Sequence, residues 1–247
     1  MKKFAPVIIV LVVFALLAGG GFYVYKSFFG APKEVVEDEG PELDASLRPF
    51  VTITPTEDGH YMDLTISNIN VPGAKKMEFE LFYTTGEGNN QGTTGKVTLK
   101  GNDLVKNQIL LGSESSGKFR YDQGVELGTL TIKFRDENGK NIGRTATTWR
   151  LQHGTRDLAS SDGKFKYTLS EDSDAYFVTL ITMGLPKQFD GTTSLESYGV
   201  FTSSEDPIAG TVSLGEGNLN MWNSQKEVWE SVSNNLSENT GIFISSN

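Results

Sequence analysis

The sequence predicts a mostly β protein in which an N-terminal transmembrane helix is followed by two antiparallel β-sandwich domains of the immunoglobulin-like kind. Three observations predict this fold class. A charge-free apolar run opens the chain, alternating apolar and polar residues dominate the remainder, and glycine-rich turns separate the alternating segments. The 247 residues are 37% hydrophobic and 21% charged, which is typical of a folded protein.

Composition excludes several classes of function. The chain has no cysteine, so disulfides, thiolate zinc sites, iron–sulfur clusters and cysteine nucleophiles are excluded. Its only histidines are His60 and His153, which leaves little material for acid–base or metal chemistry. The net charge of −9 argues against nucleic acid as a partner, because nucleic acids are bound by basic surfaces.

Residues 1–30 are predicted to form a membrane anchor. Residues 4–25 carry no charge and would form a helix of about 33 Å, roughly one hydrocarbon core. Lys2 and Lys3 precede this segment, so the positive-inside rule predicts a cytoplasmic N-terminus and extracytoplasmic C-terminal domains. The alternative is a cleaved signal peptide with its small residues at positions 18–20. Because the apolar run continues past them, an uncleaved single span in the cell membrane is favoured.

Residues 31–47 are predicted to form an acidic linker. They contain six acidic residues, one lysine and two prolines, a composition in which charges repel one another and regular structure is not expected. Such a linker would hold the folded part away from the membrane surface.

Period-two alternation after the linker predicts antiparallel strands with one buried face. In residues 61–69, for example, Met62, Leu64 and Ile66 share one face and polar side chains share the other. Turn residues such as Asp58 and Gly59 separate these segments. Strands are predicted at residues 50–54, 61–69, 77–85, 95–101, 108–112, 127–134, 146–152, 164–169, 176–183, 198–202, 210–214, 219–222 and 242–245.

The number of strands predicts two domains. These thirteen strands exceed the seven to nine of one ordinary sandwich, so the chain is divided near residues 153–160. The two parts also differ in charge. Residues 48–152 hold 13 basic and 12 acidic side chains, a net charge of +1, whereas residues 153–247 hold 5 and 13, a net charge of −8.

Residues 225–237 allow two interpretations. Ser224 and Glu227 form a capping box, and Val228, Val232 and Leu236 follow at helical spacing, which favours a helix. The same stretch also contains a short apolar–polar alternation, typical of a strand followed by a loop.

Residues 48–152, with their succession of short alternating strands, resemble an immunoglobulin or fibronectin type III module. Residues 174–247 resemble the extracytoplasmic domain of anti-sigma-K-factor-type membrane proteins. The resemblance lies in Leu185-Pro186 after an apolar strand, a strand led by Tyr198, and the Ala209-Gly210 and Thr240-Gly241 steps before later strands. It implies a strand at residues 228–231 in place of the helix.

This second resemblance covers under a third of the chain and has three departures. Family members carry a cytoplasmic sigma-binding region before the membrane span, whereas three residues precede the predicted span here. The glycine pair of the family's loop is Asn234-Asn235, and the acidic residue at the strand end is displaced to Glu230. The resemblance therefore implies a shared extracytoplasmic fold and does not carry over the regulatory function.

No catalytic residue is predicted. Residues 115–118 and 161–164 both spell S-x-x-K, the nucleophile motif of penicillin-recognising enzymes. The supporting S-D-N and K-T-G elements are absent from the sequence, and both matches fall in predicted turns. His60 and His153 lack companion ligands at metal spacing and are interpreted as surface or junction residues.

No metal or cofactor site is predicted either. Glu171, Asp172 and Asp174 form an acidic cluster, and carboxylates are the ligands that Ca²⁺ prefers. No D-x-D-x-D-G loop accompanies these residues or the acidic pair Glu205 and Asp206. Solvated acidic loops are therefore favoured over a calcium site.

The three tryptophans are candidates for a carbohydrate platform. Trp149 shares its face with Thr147 and Leu151, which favours core packing. Trp222 and Trp229 have polar neighbours, and packing in the core or at a sheet edge is favoured for them over ligand binding.

We therefore expect a single-pass, membrane-anchored extracytoplasmic protein with a non-catalytic binding or structural role at the cell surface. Its partner would be an unknown protein or a cell-surface polymer. The alternative is an extracytoplasmic sensory or regulatory protein of anti-sigma-factor-like type, acting through a membrane partner.

Overall fold

The computed structural model describes residues 40–101, 103–193 and 196–246 of the chain. The predicted membrane anchor, residues 1–30, lies outside this part, as do residues 31–39 of the predicted linker. Within the described residues no helix has the length and apolar character needed to cross a membrane. The prediction of a mostly β protein with antiparallel sheets is confirmed.

Each predicted strand overlaps a strand of the described chain, whereas the short strands at residues 112–115, 118–121, 157–159 and 236–237 are not predicted. The strands are β1 (Phe50–Pro55), β2 (Tyr61–Ser67), β3 (Lys76–Thr84), β4 (Asn90–Thr98), β5 (Val105–Leu110), β6 (Gly112–Ser115), β7 (Lys118–Tyr121), β8 (Leu127–Arg135), β9 (Asn141–Gln152), β10 (Asp157–Ala159), β11 (Phe165–Leu169), β12 (Phe177–Ile181), β13 (Tyr198–Thr202), β14 (Gly210–Leu214), β15 (Asn218–Asn223), β16 (Val228–Ser231), β17 (Leu236–Ser237) and β18 (Ile242–Ser246). Two short 3-10 helices, Ala45–Leu47 and Ser233–Asn235, complete the elements of this part.

The strands assemble into one large sheet and three smaller ones. The large sheet has nine strands in the order β16-β15-β18-β13-β12-β9-β8-β3-β4. The smaller sheets are β1-β2-β5, β10-β11-β14-β17 and the hairpin β6-β7. The large sheet crosses the predicted boundary near residues 153–160 because β9 pairs with β12, with Trp149 opposite Leu180 and Gln152 opposite Phe177.

Two hydrophobic cores lie on opposite faces of the large sheet. Successive side chains of a strand point to opposite faces. In β12, Val178 and Leu180 belong to the first core, whereas Phe177 belongs to the second. The sheet β1-β2-β5 contributes to the first core and the sheet β10-β11-β14-β17 to the second. Trp149 is fully buried in the first core, as the sequence predicts.

The architecture thus differs in one respect from two separate sandwiches. Each segment, 48–152 and 153–247, has a small sheet of its own, but the two segments share the large sheet, and Val178, Leu180 and Met183 of the second segment belong to the first core. Pairing β9 with β12 satisfies the backbone N–H and C=O groups that an unpaired edge would expose. Strand alternation predicts which residues face a core, but it does not reveal which edges pair across a domain boundary.

The described end of the predicted linker is packed, which corrects that part of the expectation. Leu43 is 6% exposed and belongs to the first core. Its amide donates to the Arg144 carbonyl, and the Arg144 amide donates to the Pro41 carbonyl. Gly143 leaves space for Leu43, since a Cβ at residue 143 would lie 2.4 Å from a Leu43 methyl carbon. Leu43 and the two backbone hydrogen bonds with Arg144 hold this segment against the first core.

The two interpretations of residues 225–237 are resolved in favour of the strand. β16 covers Val228–Ser231, the residues for which the resemblance implies a strand, and the capping box at Ser224 and Glu227 lies in the turn before it. Glu227 adopts a φ of 54°, which is incompatible with an α-helix. The apolar residues at helical spacing serve different purposes here, because Val232 packs against the second core whereas Leu236 is 59% exposed.

Candidate functional site

A concavity lies where β13 and β15 extend beyond the start of β18, and we call it the tryptophan cleft. Its volume is about 790 Å³. Its apolar lining includes Phe50, Phe201, Met221, Trp222 and Leu236. Its polar lining includes Asn223, Ser224, Gln225, Glu230, Ser231, Ser233, Ser237, Glu238, Asn239 and Thr240. A mixed lining of aromatic groups and hydrogen-bonding groups is typical of ligand sites.

The β15–β16 hairpin positions Trp222 at this cleft. Trp222 lies directly opposite Trp229, and the two indole rings are 5.4 Å apart at 61°, an edge-to-face contact. The hairpin turn is held by Asn223, whose Oδ1 accepts the amides of Gln225 and Lys226 at 3.1 and 3.0 Å. Trp222 is partly buried, so its ring is fixed on one side and reaches solvent on the other.

Trp229 is fixed by the segment that follows β12. Its Nε1 donates to the Lys187 carbonyl at 3.1 Å, and the Phe189 ring contacts it edge-to-face with centroids 5.9 Å apart. Lys187 Nζ in turn donates to the Glu227 carbonyl. Trp229 does not line the cleft and serves to orient Trp222, so the predicted edge packing describes Trp229 better than Trp222.

Two carboxylates line the cleft, and one of them is paired with Lys226. Glu230 accepts hydrogen bonds from Lys226 Nζ at 2.7 Å and from Asn223 Nδ2 at 2.9 Å. The hydrogen bond from Lys226, assisted by that from Asn223, lowers the pKa of the Glu230 carboxyl, which is therefore ionised at neutral pH. Glu238 adds a second carboxylate, and the described residues that line the cleft include no lysine or arginine.

A second cleft, of about 430 Å³, brings the two histidines of the chain together, and we call it the histidine cleft. His60 stacks on Tyr121 with ring centroids 3.7 Å apart and 3° between the planes. His153 stacks on Tyr176 at 4.2 Å and 17°. The remaining lining includes Asp58, Asp122, Glu126, Arg150 and Asp157. The sequence predicts surface or junction residues at His60 and His153, because no spacing signal connects a turn after β1 with the end of β9.

Several contacts hold the histidine cleft in shape. Asp58 Oδ1 accepts the Thr56 hydroxyl at 2.6 Å and the His60 amide at 3.0 Å, and Oδ2 lies 3.2 Å from His60 Nδ1. The hydrogen bond from Thr56 is the main reason why the pKa of Asp58 is lowered. Gly59 permits the Tyr176 ring to lie against this turn, because a Cβ there would be 2.4 Å from a ring carbon.

Both S-x-x-K matches lie in hairpin turns, as predicted. Ser116 and Gly117, between β6 and β7, have positive φ, and the Gly117 amide donates to Glu114 Oε1 at 2.7 Å. In the turn between β10 and β11, Ser161 bonds to the hydroxyl of Thr148. Neither serine starts a helix, the setting that the penicillin-recognising mechanism requires.

The acidic cluster is spread along an exposed loop. Asp172 lies 3.7 Å from Arg156 Nε, and Glu171, Asp172 and Asp174 are all exposed. Across the part of the chain that the structure covers, no group of three or more histidine, aspartate or glutamate side chains is arranged to hold a metal ion.

Comparison with protein families, with curated proteins and with solved structures finds no match to this chain.

Proposed function

We propose that this protein is a single-pass, membrane-anchored extracytoplasmic protein with a non-catalytic binding role at the cell surface, and that it binds its partner in the tryptophan cleft. The observation that carries the proposal is the placement of Trp222. Its indole is held by Trp229 on one side and borders a cleft of about 790 Å³ on the other. A partly exposed, rigid aromatic side chain in a concave site is a strong anchor for a ligand.

The predicted membrane anchor and the fold support the proposal that the folded part of the chain lies outside the cell membrane. Residues 4–25 are charge-free, and Lys2 and Lys3 precede them, which favours a cytoplasmic N-terminus. In residues 48–152 the sheet β1-β2-β5 and the β4-β3-β8-β9 part of the large sheet both contribute to the first core, and this supports the immunoglobulin-like interpretation of that segment. Immunoglobulin-like modules are common in cell-surface proteins.

A non-catalytic role is supported by the placement of the reactive side chains. The serines of both S-x-x-K matches lie in hairpin turns. The rings of His60 and His153 are stacked on Tyr121 and Tyr176. A nucleophile needs an adjacent base within hydrogen-bond reach. In the described residues neither histidine forms a hydrogen bond to a serine side chain.

The binding role is tested with full-length protein in detergent and the insoluble cell envelope of the producing organism. We expect the wild-type protein to sediment with the envelope and Trp222→Ala to remain in the supernatant. Phe119→Ala is the matched control, because Phe119 is a 52% exposed aromatic residue on the β6–β7 hairpin outside the tryptophan cleft. Equal sedimentation of Trp222→Ala and wild type would contradict the role of the cleft.

The topology is tested by adding protease to intact cells. We expect residues 40–247 to be digested or released while a cytoplasmic marker survives. Survival of this part on intact cells would contradict the orientation.

The second candidate is a sensory or regulatory protein that acts through a membrane partner. The strand at Val228–Ser231 favours it, because the resemblance to anti-sigma-K-factor-type proteins implies a strand where the capping box predicts a helix. Photocrosslinkers placed within residues 4–25 should capture a second integral membrane protein. If none is captured, this candidate is rejected.

A further inference from the structure

We propose that the tryptophan cleft binds a neutral oligosaccharide segment of a cell-surface polymer, with one sugar ring stacked on Trp222. This inference rests on the proposed binding role and adds the class of ligand. It is drawn from the geometry of the indole, the charge of the cleft and the hydrogen-bonding capacity that its side chains retain.

The indole of Trp222 supplies the apolar contact that a sugar ring needs. A pyranose has C–H groups on its faces and hydroxyl groups around its rim, so it stacks on an aromatic plane while its hydroxyls form hydrogen bonds around that plane. The edge of Trp229 presses on Trp222 and fixes the ring, so little conformational entropy is lost on binding. Phe50 and Phe201 extend the apolar surface beyond Trp222.

Polar residues that line the tryptophan cleft together with Trp222 retain donors and acceptors for such hydroxyls. An ionised carboxylate offers about four acceptor positions. Glu230 uses two of them, for Lys226 and Asn223. The side-chain amide of Asn223 donates one N–H to Glu230 and has a second N–H available for a ligand. Asn239 Oδ1 accepts from the amides of Ile208 and Thr240, and its NH₂ group has no acceptor among the described residues.

The charge of the cleft selects against anionic polymers. Glu238 lines it as a carboxylate, Glu230 is paired with Lys226 so that this lysine is not available to an anionic ligand, and residues 153–247 carry a net charge of −8. Phosphate-containing polymers and uronic acid chains would be repelled, because like charges brought together across an interface are unfavourable. A neutral glycan has the required apolar face and hydroxyls without that penalty.

The size of the cleft favours a short segment over a single sugar. A volume of about 790 Å³ is within the range of sites for ligands of several rings. Because the cleft is open to solvent, a polymer can enter as an internal segment without a free end.

The test is titration of full-length protein with neutral hexasaccharides of β-1,4-glucose, β-1,4-N-acetylglucosamine and α-1,4-glucose, followed by calorimetry and tryptophan fluorescence. The detergent must have no sugar headgroup, since an alkyl glycoside would compete. We expect saturable binding of at least one neutral hexasaccharide. Trp222→Ala should weaken it by about tenfold or more, whereas Trp222→Phe should retain part of the affinity.

Two further variants separate stacking from hydrogen bonding. Glu230→Gln should weaken binding severalfold because it loses charge-assisted acceptors, and Phe119→Ala should bind like wild type. Thermal melting of each variant shows whether it folds. If Trp222→Ala does not fold, the affinity of Trp222→Phe is compared with that of the wild type instead.

Three outcomes would overturn the inference: binding of none of the neutral hexasaccharides, stronger binding of a hexagalacturonate, or binding only of an apolar peptide. If envelope binding depends on Trp222 in that case, the binding role stands and only the ligand class is wrong. If envelope binding is independent of Trp222, the proposed function fails as well.

Discussion

Asp162 organises the turn between β10 and β11 through both carboxylate oxygens. Oδ1 accepts the Ser160 hydroxyl at 2.5 Å and the Lys164 amide at 3.2 Å, and Oδ2 accepts the Tyr198 hydroxyl at 2.8 Å. Burial alone would raise the pKa of Asp162, but the hydrogen bonds outweigh it, so the pKa lies below the ordinary value. The folded state therefore binds the proton more weakly than the unfolded state. This contribution to stability is present at neutral pH and is lost as the pH falls below about 4, through the folded-state pKa.

Asp162→Asn should lower the free energy of unfolding at pH 7 by about 1–3 kcal/mol, because charge-assisted hydrogen bonds are replaced by neutral ones. Urea unfolding at pH 7 and pH 3 measures the effect, and the difference from wild type should shrink at pH 3. Asp174→Asn, on an exposed loop, is the control and should change little. An equal loss at both pH values would show that the charge of Asp162 is not responsible.

Gly59 and Gly163 occupy the same place in two similar turns and differ in what lies beside them. Both have positive φ, of 68° and 71°. A Cβ at Gly59 would meet the Tyr176 ring at 2.4 Å, whereas nothing lies within 4 Å of one at Gly163. Gly163→Ala should thus cost about 1 kcal/mol for the left-handed conformation alone, and Gly59→Ala should cost on the order of 1–3 kcal/mol more. Equal losses in urea unfolding would contradict the proposed contact with Tyr176.

At the scale of elements, a closed ring of hydrogen bonds joins β9, β10 and β12. Gln152 Nε2 donates to Thr179 Oγ1 at 3.1 Å, Thr179 Oγ1 donates to the Ala159 carbonyl at 2.8 Å, and the Ala159 amide donates to Gln152 Oε1 at 2.9 Å. Thr179 is fully buried. Thr179→Val should therefore cost about 1–3 kcal/mol in urea unfolding, because it leaves the Gln152 amide and the Ala159 carbonyl without partners.

The control for Thr179→Val is Thr211→Val on β14. Thr211 is exposed and should tolerate the change within about 0.5 kcal/mol. If both variants had the same small effect, the hydrogen-bonded ring would contribute nothing to stability.

The sequence predicts strands best where one face is buried. In β2, for example, Met62, Leu64 and Ile66 are buried and their neighbours are not. The edge strand β4 has no buried residue, so its first half carries no alternation, and the prediction starts at residue 95 although the strand begins at Asn90. The tryptophan cleft could be predicted only in part. Its polar neighbours make Trp222 a candidate in the sequence, but its placement in one cleft with Phe50 depends on the packing of strands that are distant in sequence.

At the scale of the whole molecule, the shared sheet couples the two segments. Calorimetry of the full chain should therefore show one unfolding transition for residues 40–247, since melting either segment removes the partner of β9 or β12. Two well-separated transitions would contradict this coupling.

Cleavage of the folded chain provides a more direct test. A protease site inserted after Gly154, an exposed residue with nothing within 4 Å of its Cβ position, would separate β9 from β10 without removing any pairing. The two fragments should elute together in size-exclusion chromatography, whereas fragments produced separately should expose an unpaired edge and fail to fold. Separate elution of two folded fragments would show that each segment is independent.

Shared pairing between β9 and β12 also constrains how such a gene can evolve. Modules whose strands pair only within the module can be duplicated, deleted or exchanged by recombination without leaving a neighbouring module with an unpaired strand. Here loss of either half exposes the backbone of the other, and two cores on opposite faces leave neither half a complete unit. The two halves should therefore be inherited together. Natural length variation among descendants should fall in turns, such as that around Gly139, and not at the junction.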